Sequence, residues 1–182
     1  LQYDDTNLAY LCDPALRDQA RARGDDPDKL PHIYAKLIND SIEDRPADMA
    51  VAIHLCRGNA ESKWFAQGGY EPIAEAMFNE LDIDGFFLEY DDERSGDFAP
   101  LRFVPKGKIV VLGLITSKTG ALEKKADVER RIEAASKYVP MDQLCLSPQC
   151  GFASALQGNK LTMADEEAKM RLVVEIANEV WH

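Results

Sequence analysis

Residues 49–56 read MAVAIHLC, a run of apolar side chains that ends in a histidine and a cysteine two positions apart. The run is nearly continuous rather than alternating, which is typical of a strand covered on both faces in a parallel sheet. Residues i and i+2 of a strand point to the same face, so His54 and Cys56 are expected to reach one point together. The stretch predicts a buried strand whose polar end could serve a metal site.

Strands of the same kind are predicted by four further runs, at 1–5 (LQYDD), 84–90 (DGFFLEY), 108–115 (KIVVLGLI) and 142–147 (DQLCLS). Helical periodicity predicts helices over 27–44, 70–81, 124–139 and 163–181, the last with Thr162 as N-cap and Asp165 three positions later. The side chains expected to be buried are Leu30, Ile33, Leu37 and Tyr34 in the first helix, Ile73, Met77 and Leu81 in the second, and Val128, Ile132, Ala135 and Val139 in the third.

Regular alternation of strands and helices predicts an α/β fold with a parallel sheet and right-handed crossovers. Two architectures fit, an open doubly wound sheet and part of a TIM (β/α)8 barrel. No Gly-x-Gly-x-x-Gly follows a strand, so a dinucleotide fold has no direct support. A barrel usually needs ~250 residues. Residues 1–182 are therefore expected to form one domain, the C-terminal five or so β/α units of a barrel, with the N-terminal units missing upstream of Leu1.

Composition excludes some functions. The net charge of −11 disfavours binding to nucleic acid or to an anionic membrane, both of which attract basic surfaces. No apolar run approaches the ~20 residues of a membrane span. The four cysteines of this chain favour free thiols or metal ligands in a reducing, cytoplasmic compartment over a disulfide scaffold.

Polar residues collect at the carboxyl ends of the predicted strands, the edge where parallel β/α folds build their sites. These residues are Asp4 and Asp5 at the end of the first strand, His54 and Cys56 at the end of the second, Glu89 at the end of the third and Cys150 just beyond the fifth. One imidazole, two thiolates and one carboxylate form a set that tetrahedral zinc accepts. His54, Cys56, Glu89 and Cys150 are thus predicted zinc ligands.

Each residue alone has a simpler explanation. Cys12 and Cys145 are expected to be small buried apolar side chains, the common state of a free cysteine. His54 could be a hydrogen-bonded core histidine, and Glu89 could form an ion pair at the mouth of a barrel. The coincidence at several strand ends favours the metal site, because unrelated residues would scatter along the strands.

The chain resembles the catalytic C-terminal barrel of cobalamin-independent methionine synthase, in particular its short single-barrel relatives. The motifs LQYDD, IHLC, LDIDGFFLEY and LCLSPQCGFAS carry the resemblance, and together they span nearly the whole chain. The resemblance implies a zinc-dependent S-methyltransferase of methionine biosynthesis that acts on a homocysteine-like small-molecule thiol and a methyl donor. It places the zinc ligands on the same four residues and assigns Asp4 to the amino group of the thiol substrate. Glu89 is then the candidate displaceable ligand.

The sequence departs from the family after the strand KIVVLGLI, where a histidine is expected to transfer a proton and Ser117, Lys118 and Thr119 stand instead. Lys118 is a candidate proton donor, with an exposed loop lysine as the alternative. The departure leaves open a thiol alkyltransferase with a non-folate donor, similar to epoxyalkane:coenzyme M transferase. Arg57 and Asn59 are expected either to contact substrate or to be solvated loop residues, beside a turn that Gly58 permits.

A non-catalytic barrel fragment is the third interpretation. Five strands alone leave two sheet edges without a partner. The sequence therefore predicts pairing with the missing N-terminal half or with another copy of the chain.

Overall fold

A parallel sheet of five strands forms the centre of the structure, a computed structural model that describes residues 1–181. The strands are β1 (Gln2–Asp5), β2 (Ala52–Leu55), β3 (Gly85–Glu89), β4 (Ile109–Ile115) and β5 (Leu144–Pro148). The α-helices of the described chain are α1 (Asn7–Tyr10), α2 (Pro14–Ala22), α3 (Leu30–Ser41), α4 (Ala74–Glu80), α5 (Lys125–Ala135) and α6 (Met163–Val180). All five predicted strands are present, each within about three residues of its predicted ends.

The order of the strands in the sheet decides between the two architectures. It is β1-β2-β3-β4-β5, so every strand pairs in parallel with its neighbour in sequence. A doubly wound sheet reverses its order at a switch point, whereas a barrel does not. The sheet therefore has the winding of part of a TIM barrel, as the alternation of elements predicts.

The two faces of the sheet differ in character. One face is apolar and joins the helices in the main core, through Ile53, Leu55, Phe86, Leu88, Val110, Leu112 and Leu144. On the other face a single row of paired residues crosses all five strands, from Asp4 through His54, Phe87 and Val111 to Cys145. The chemistry-bearing side chains thus share the face that the helices do not cover.

Most helix predictions are confirmed. Ile73, Met77 and Leu81 are buried, as are the predicted core residues of α5. Thr162 caps α6 through a capping box, because its hydroxyl accepts from the N–H of Asp165 and the Asp165 carboxylate accepts from the N–H of Thr162. Both features follow directly from the spacing of residues in the sequence.

The predicted face of α3 is partly wrong. Ile33 and Leu37 are 57% and 65% exposed, whereas Ala35 and Ile38 are buried. The helix carries a second stripe of apolar residues one position further along, and this stripe packs against the core. Periodicity alone cannot choose between two overlapping stripes on one helix.

Helix α2 is not among the predicted helices. Its start carries recognisable signals, since the carboxylate of Asp13 accepts from the N–H of Ala15 at 2.9 Å and Pro14 occupies the first turn. The one residue that it buries is Arg17, so no apolar stripe marks it. Within residues 1–181, no helix has the length and apolar character that a membrane span requires.

The prediction for Cys145 is wrong, while that for Cys12 is confirmed. Cys12 is 2% exposed in the core, but Cys145 is exposed. Cys145 alternates with the buried Leu144 on β5 and so points to the face without helices. The prediction failed because β5 is buried on the face that carries Leu144 and not on the face that carries Cys145.

Candidate metal centre

Three strands and one loop bring together the four residues predicted as ligands. His54 lies in β2, Cys56 directly follows it, Glu89 ends β3 and Cys150 lies two positions beyond β5. One potential ligand atom from each residue lies within 4.8 Å of the other three. This is a group that could hold a metal ion.

Glu89 is the most deeply placed member, with no exposed surface. Its Oε1 accepts from the N–H of Arg57 at 3.1 Å, and its Oε2 lies 3.2 Å from the guanidinium of Arg94. Burial raises the pKa of the Glu89 carboxyl to about 7, against the lowering effect of the Arg57 N–H. Near neutral pH, a cation that binds a carboxyl with such a pKa displaces the proton to solvent at little cost.

The backbone of Glu89 is held by one tyrosine. The hydroxyl of Tyr70 donates to the carbonyl oxygen of Glu89 at 3.2 Å and accepts from its N–H at 2.9 Å. Tyr70 is itself fully buried, and the Arg57 guanidinium lies 4.4 Å from the centre of its ring. Arg57 is fully buried, so its expectation as a solvated loop residue is wrong.

The two thiols form a close pair. The Sγ atoms of Cys56 and Cys150 are 3.8 Å apart. Their mutual contact raises the pKa of Cys56 and lowers the pKa of Cys150. A sulfur whose pKa is lowered in this way is favoured as a thiolate, the form in which cysteine binds metal ions.

His54 has an unsatisfied ring nitrogen. Its Nε2 is buried without a hydrogen-bond partner, and its nearest carboxylate oxygens, on Asp4 and Glu89, lie 3.9 and 3.8 Å away. Burial lowers the pKa of His54, but the contact with Cys150 and the nearby carboxylates outweigh it and raise the pKa above its usual value. A buried nitrogen without a partner, beside two sulfurs and a carboxylate, fits a metal ligand.

Gln149 supports Glu89, a role that the sequence analysis misses. With its amide nitrogen turned towards Glu89, it donates to both carboxylate oxygens, at 2.8 and 3.1 Å, and its oxygen accepts from the Ser117 hydroxyl at 2.6 Å. Gln149 is 1% exposed. Its position next to Cys150 in SPQCG is the signal that could have identified it.

The two aspartates at the end of β1 have different environments. The Oδ1 of Asp5 accepts from the N–H of Leu8 in α1 at 2.8 Å. The side chain of Asp4 is 71% exposed and faces the same side of the sheet as His54. The structure thus leaves Asp4 free to meet a substrate.

Lys118 is 7% exposed, so its expectation as an exposed loop lysine is wrong. Its Nζ donates to the carbonyl oxygen of Gly58 at 3.3 Å and to Oδ1 of Asn59 at 3.2 Å. Gly58 adopts a φ of +90°, which a glycine tolerates without strain. Asn59 is also 7% exposed, so it is not a solvated residue either.

A cleft of about 600 Å³ reaches two of the four residues, His54 and Cys150. Asp4, His54 and Cys150 line it together with the apolar side chains of Phe87, Phe152 and Met170. Its wall carries the carboxylates of Asp4 and Glu166, and residues 1–181 contribute no lysine or arginine to it. The cleft therefore favours a ligand with a positive group and an apolar portion.

These features define a class of protein, an α/β chain wound like a TIM barrel with a His-Cys-Glu-Cys group at the carboxyl edge of its sheet. The family model for the catalytic domain of cobalamin-independent synthases matches residues 13–179. The chain belongs to this family, that of cobalamin-independent methionine synthase.

Two curated relatives come from Bacillus subtilis (strain 168). YxjG is 57% identical and YxjH 54% identical, each over 100% of this chain and 48% of its own length, and both are described as uncharacterized. The chain thus spans about half the length of the curated relatives that it matches.

Two solved structures are also similar. A Listeria monocytogenes protein, provisionally described as a vitamin-B12 independent methionine synthase, has a TM-score of 0.73 and 44% identity over 100% of this chain and 48% of its own. A B12-independent methionine synthase from Shewanella sp. W3-18-1 has a TM-score of 0.68 at 19% identity, over 98% of this chain and 47% of its own, and it supports the fold alone.

Proposed function

We propose that this chain is the metal-binding part of a zinc-dependent thiol methyltransferase that methylates a homocysteine-like thiol, with residues 1–182 forming one partial barrel domain. The observation that carries the proposal is the convergence of His54, Cys56, Glu89 and Cys150, whose ligand atoms lie within 4.8 Å of one another. Membership of the methionine synthase family supports the same reaction class.

Zinc is the proposed ion because the donor set and spacing suit it. Two thiolates at about 2.3 Å from a tetrahedral zinc lie about 3.8 Å apart. The Sγ atoms of Cys56 and Cys150 are separated by this distance. An imidazole and a carboxylate complete the donor set. The two thiolates and the carboxylate together carry one more negative charge than is needed to neutralise Zn²⁺.

Zinc bound here would supply a Lewis acid that lowers the pKa of a substrate thiol while its thiolate ligands keep that sulfur nucleophilic. Glu89 is the ligand proposed to make room for the substrate, because its side chain has other partners ready. These are Gln149, Arg94 and the N–H of Arg57.

The cleft supports a thiol substrate that carries an ammonium group. Asp4 is exposed beside His54, and Glu166 adds a second carboxylate to the wall. We propose that Asp4 binds the amino group of the acceptor. An anionic thiol such as coenzyme M would meet these carboxylates without a compensating cation from the described residues.

A second candidate function differs from the first in the group donor. The loop after β4 offers Ser117, Lys118 and Thr119 where the family's proton-transferring histidine is expected. Lys118 remains the proposed proton donor, since its Nζ contacts Gly58 and Asn59, which follow the predicted ligand Cys56 by two and three positions. Because this departure concerns the leaving group, a thiol alkyltransferase with a non-folate donor is the alternative.

Metal content and turnover test the proposal on the 182-residue chain. We expect about one zinc per chain, and methyl transfer from methyl-folate to homocysteine. Cys150→Ser should lose both, whereas the matched control Cys145→Ser should keep both because Cys145 lies away from the group. Zinc-free protein, or an unaffected Cys150→Ser variant, would overturn the proposal. Turnover with epoxides or other alkyl donors, but not with methyl-folate, would select the second candidate.

A further inference from the structure

Asn59 uses every hydrogen-bonding position of its side chain. Its Nδ2 donates to the carbonyl oxygen of Gly151 at 2.7 Å and to the hydroxyl of Ser154 at 3.0 Å. Its Oδ1 accepts from Lys118 Nζ at 3.2 Å and from Asn159 Nδ2 at 3.0 Å. An amide side chain has two donor hydrogens and two acceptor lone pairs, so none is left for substrate or solvent.

These contacts join three loops at the carboxyl edge of the sheet. Asn59 belongs to the loop after β2, Lys118 to the loop after β4, and the remaining partners to the loop after β5. Asn159 strengthens the junction, because its Nδ2 also donates to the carbonyl oxygen of Ser117 at 2.7 Å. The loop after β2 begins with Cys56, and the loop after β5 contains Cys150.

The sheet itself does not pair these two loops. Strand β2 bonds to β1 and β3, and β5 bonds to β4 alone within the described sheet. Residues 149–162, between β5 and α6, contain no helix or strand. The N–H of Gln149 still donates to the carbonyl oxygen of Ile115 in β4 at 2.8 Å. Side chains make the link to the loop after β2, since Asn59 bonds to Gly151, directly after Cys150, and to Ser154. The Ser154 hydroxyl lies 3.6 Å from the Cys150 Sγ.

We propose that Asn59 is a positioning residue that sets the distance between the Cys56 and Cys150 sulfurs. The charge of Lys118 and the amide of Asn159 fix the orientation of the Asn59 side chain, so that its two N–H donors point at the Cys150 loop. The value of this spacing for catalysis rests on the proposed function, but the spacing itself can be measured in metal-free protein.

The first experiment uses thiol–disulfide exchange without metal. The chain is equilibrated with defined mixtures of reduced and oxidised glutathione, and the Cys56–Cys150 disulfide is quantified by peptide mapping. In this exchange the two protein thiols are oxidised and one glutathione disulfide is reduced to two thiols. Asn59→Ala should lower the equilibrium constant by about tenfold, the effect of losing a buried hydrogen bond that aligns the pair.

Asn39→Ala is the matched control. Asn39 also links two segments through both ends of its amide, because it donates to the carbonyl oxygen of Glu80 at 2.7 Å and accepts from the N–H of Asp82 at 2.8 Å. It lies on α3 and takes no part in the loop junction. Its equilibrium constant should match that of the parent chain.

A second variant separates positioning from general stability. Asn59→Asp keeps an acceptor for Lys118 but has no N–H to donate to Gly151 and Ser154. It should show the same loss as Asn59→Ala while far-ultraviolet circular dichroism and the unfolding midpoint stay close to those of the parent. Parent-like exchange in either folded variant, or unfolding of both, would overturn the proposal.

Zinc affinity provides the second measurement, by competition with a chromophoric chelator. Both Asn59 variants should bind zinc about 10- to 100-fold more weakly, the usual effect of removing a group that orients a ligand. Cobalt substitution should show a weaker thiolate charge-transfer band in these variants than in Asn39→Ala. If the parent chain binds no zinc, the proposed function fails, whereas the exchange experiment still decides the role of Asn59.

Discussion

The Sγ atoms of Cys56 and Cys150 lie 3.8 Å apart although 94 positions separate the two residues in the chain. Parallel strands β2 and β5, which are not neighbours, deliver the two loops to the same edge of the sheet, and the side chain of Asn59 joins the loops there. Because the two sulfurs come from remote parts of the chain, substitutions in the loops that hold them should change the Sγ–Sγ distance and therefore the affinity for a metal ion.

Zinc affinity should depend on pH with a change of slope near neutrality. The pKa of Glu89 is about 7, and the pKa of His54 is raised above its usual value. Below these values both groups hold protons that the ion must displace, so affinity falls as the pH decreases, by about tenfold per unit for each proton. Chelator competition between about pH 5.5 and 8 measures the slope. Glu89→Gln should flatten it by one proton, and an unchanged slope in the parent chain would contradict the assignment.

Gln149→Leu should weaken zinc binding by about tenfold, the range found when a group that orients a ligand is removed. The variant removes the two hydrogen bonds from the Gln149 amide to the Glu89 carboxylate, so the pKa of Glu89 should rise further and the slope change should move to higher pH. Gln143→Leu is the control, since the Gln143 amide is also buried but donates to the carbonyl oxygens of Pro105 and Lys108. Gln143→Leu should lower the free energy of unfolding without altering the pH dependence of zinc affinity. Equal profiles for the two variants would argue against the role of Gln149.

Gly113→Ala should weaken zinc binding indirectly, by displacing the backbone of Gln149. A Cβ at this position would lie 2.8 Å from the Cα of Gln149 and 2.8 Å from the carbonyl oxygen of Leu88. Both are backbone atoms, so we expect a loss of about 1–3 kcal/mol in stability and weaker zinc binding as Gln149 moves. Gly85→Ala on β3 is the control, because its nearest contacts would be at 3.6 Å or more. Denaturant unfolding and chelator competition measure both effects, and a neutral Gly113→Ala would show that the backbone yields easily.

Lys169→Met should destabilise the chain by about 3–5 kcal/mol, since it breaks a buried ion pair. Lys169 is fully buried, and its Nζ contacts the Glu123 carboxylate at 3.0 and 3.1 Å and the carbonyl oxygen of Ala121 at 2.6 Å. Lys125→Met is the comparison, because Lys125 pairs with Glu175 and Glu179 at the surface. The surface variant should change the unfolding free energy far less. Similar losses in the two variants would show that burial does not decide the effect.

The chain should self-associate in solution. Strands β1 and β5 each pair on one side within the described sheet, and the row from Asp4 to Cys145 lies on a face without helices. Unpaired strand edges and uncovered apolar surface favour association. Sedimentation velocity should therefore give a species larger than the 20.3 kDa monomer. A stable monomer across micromolar concentrations would refute this prediction.

The apolar strands were the most predictable part of the fold. A run such as KIVVLGLI is nearly continuous because one face packs under helices and the other lines the site, and its composition alone marks it as a strand. Helix α3 shows the limit of this reasoning, since Ile33 and Leu37 fit a helical period as well as Ala35 and Ile38 do. Tertiary packing, which local spacing does not encode, decides which stripe is buried.

The convergence of His54, Cys56, Glu89 and Cys150 was predictable because strand ends meet at one edge. Their supporting residues were not, since Gln149, Asn59 and Tyr70 act through contacts between loops and strands remote in sequence. From the sequence alone, a polar loop residue such as Asn59 is expected to be solvated, because the sequence does not show which groups of other loops contact its amide.

The single direction in which the sheet is wound has a consequence for protein synthesis. Each strand can dock on the one before it as the chain leaves the ribosome, because neighbours in sequence are neighbours in space. Cys150 belongs to the last of these units, so its thiol emerges after the other three members of the group. A cation bound by all four could thus be acquired only after residue 150 has been synthesised, so its capture would mark the point at which the fifth strand and its loop have joined the sheet.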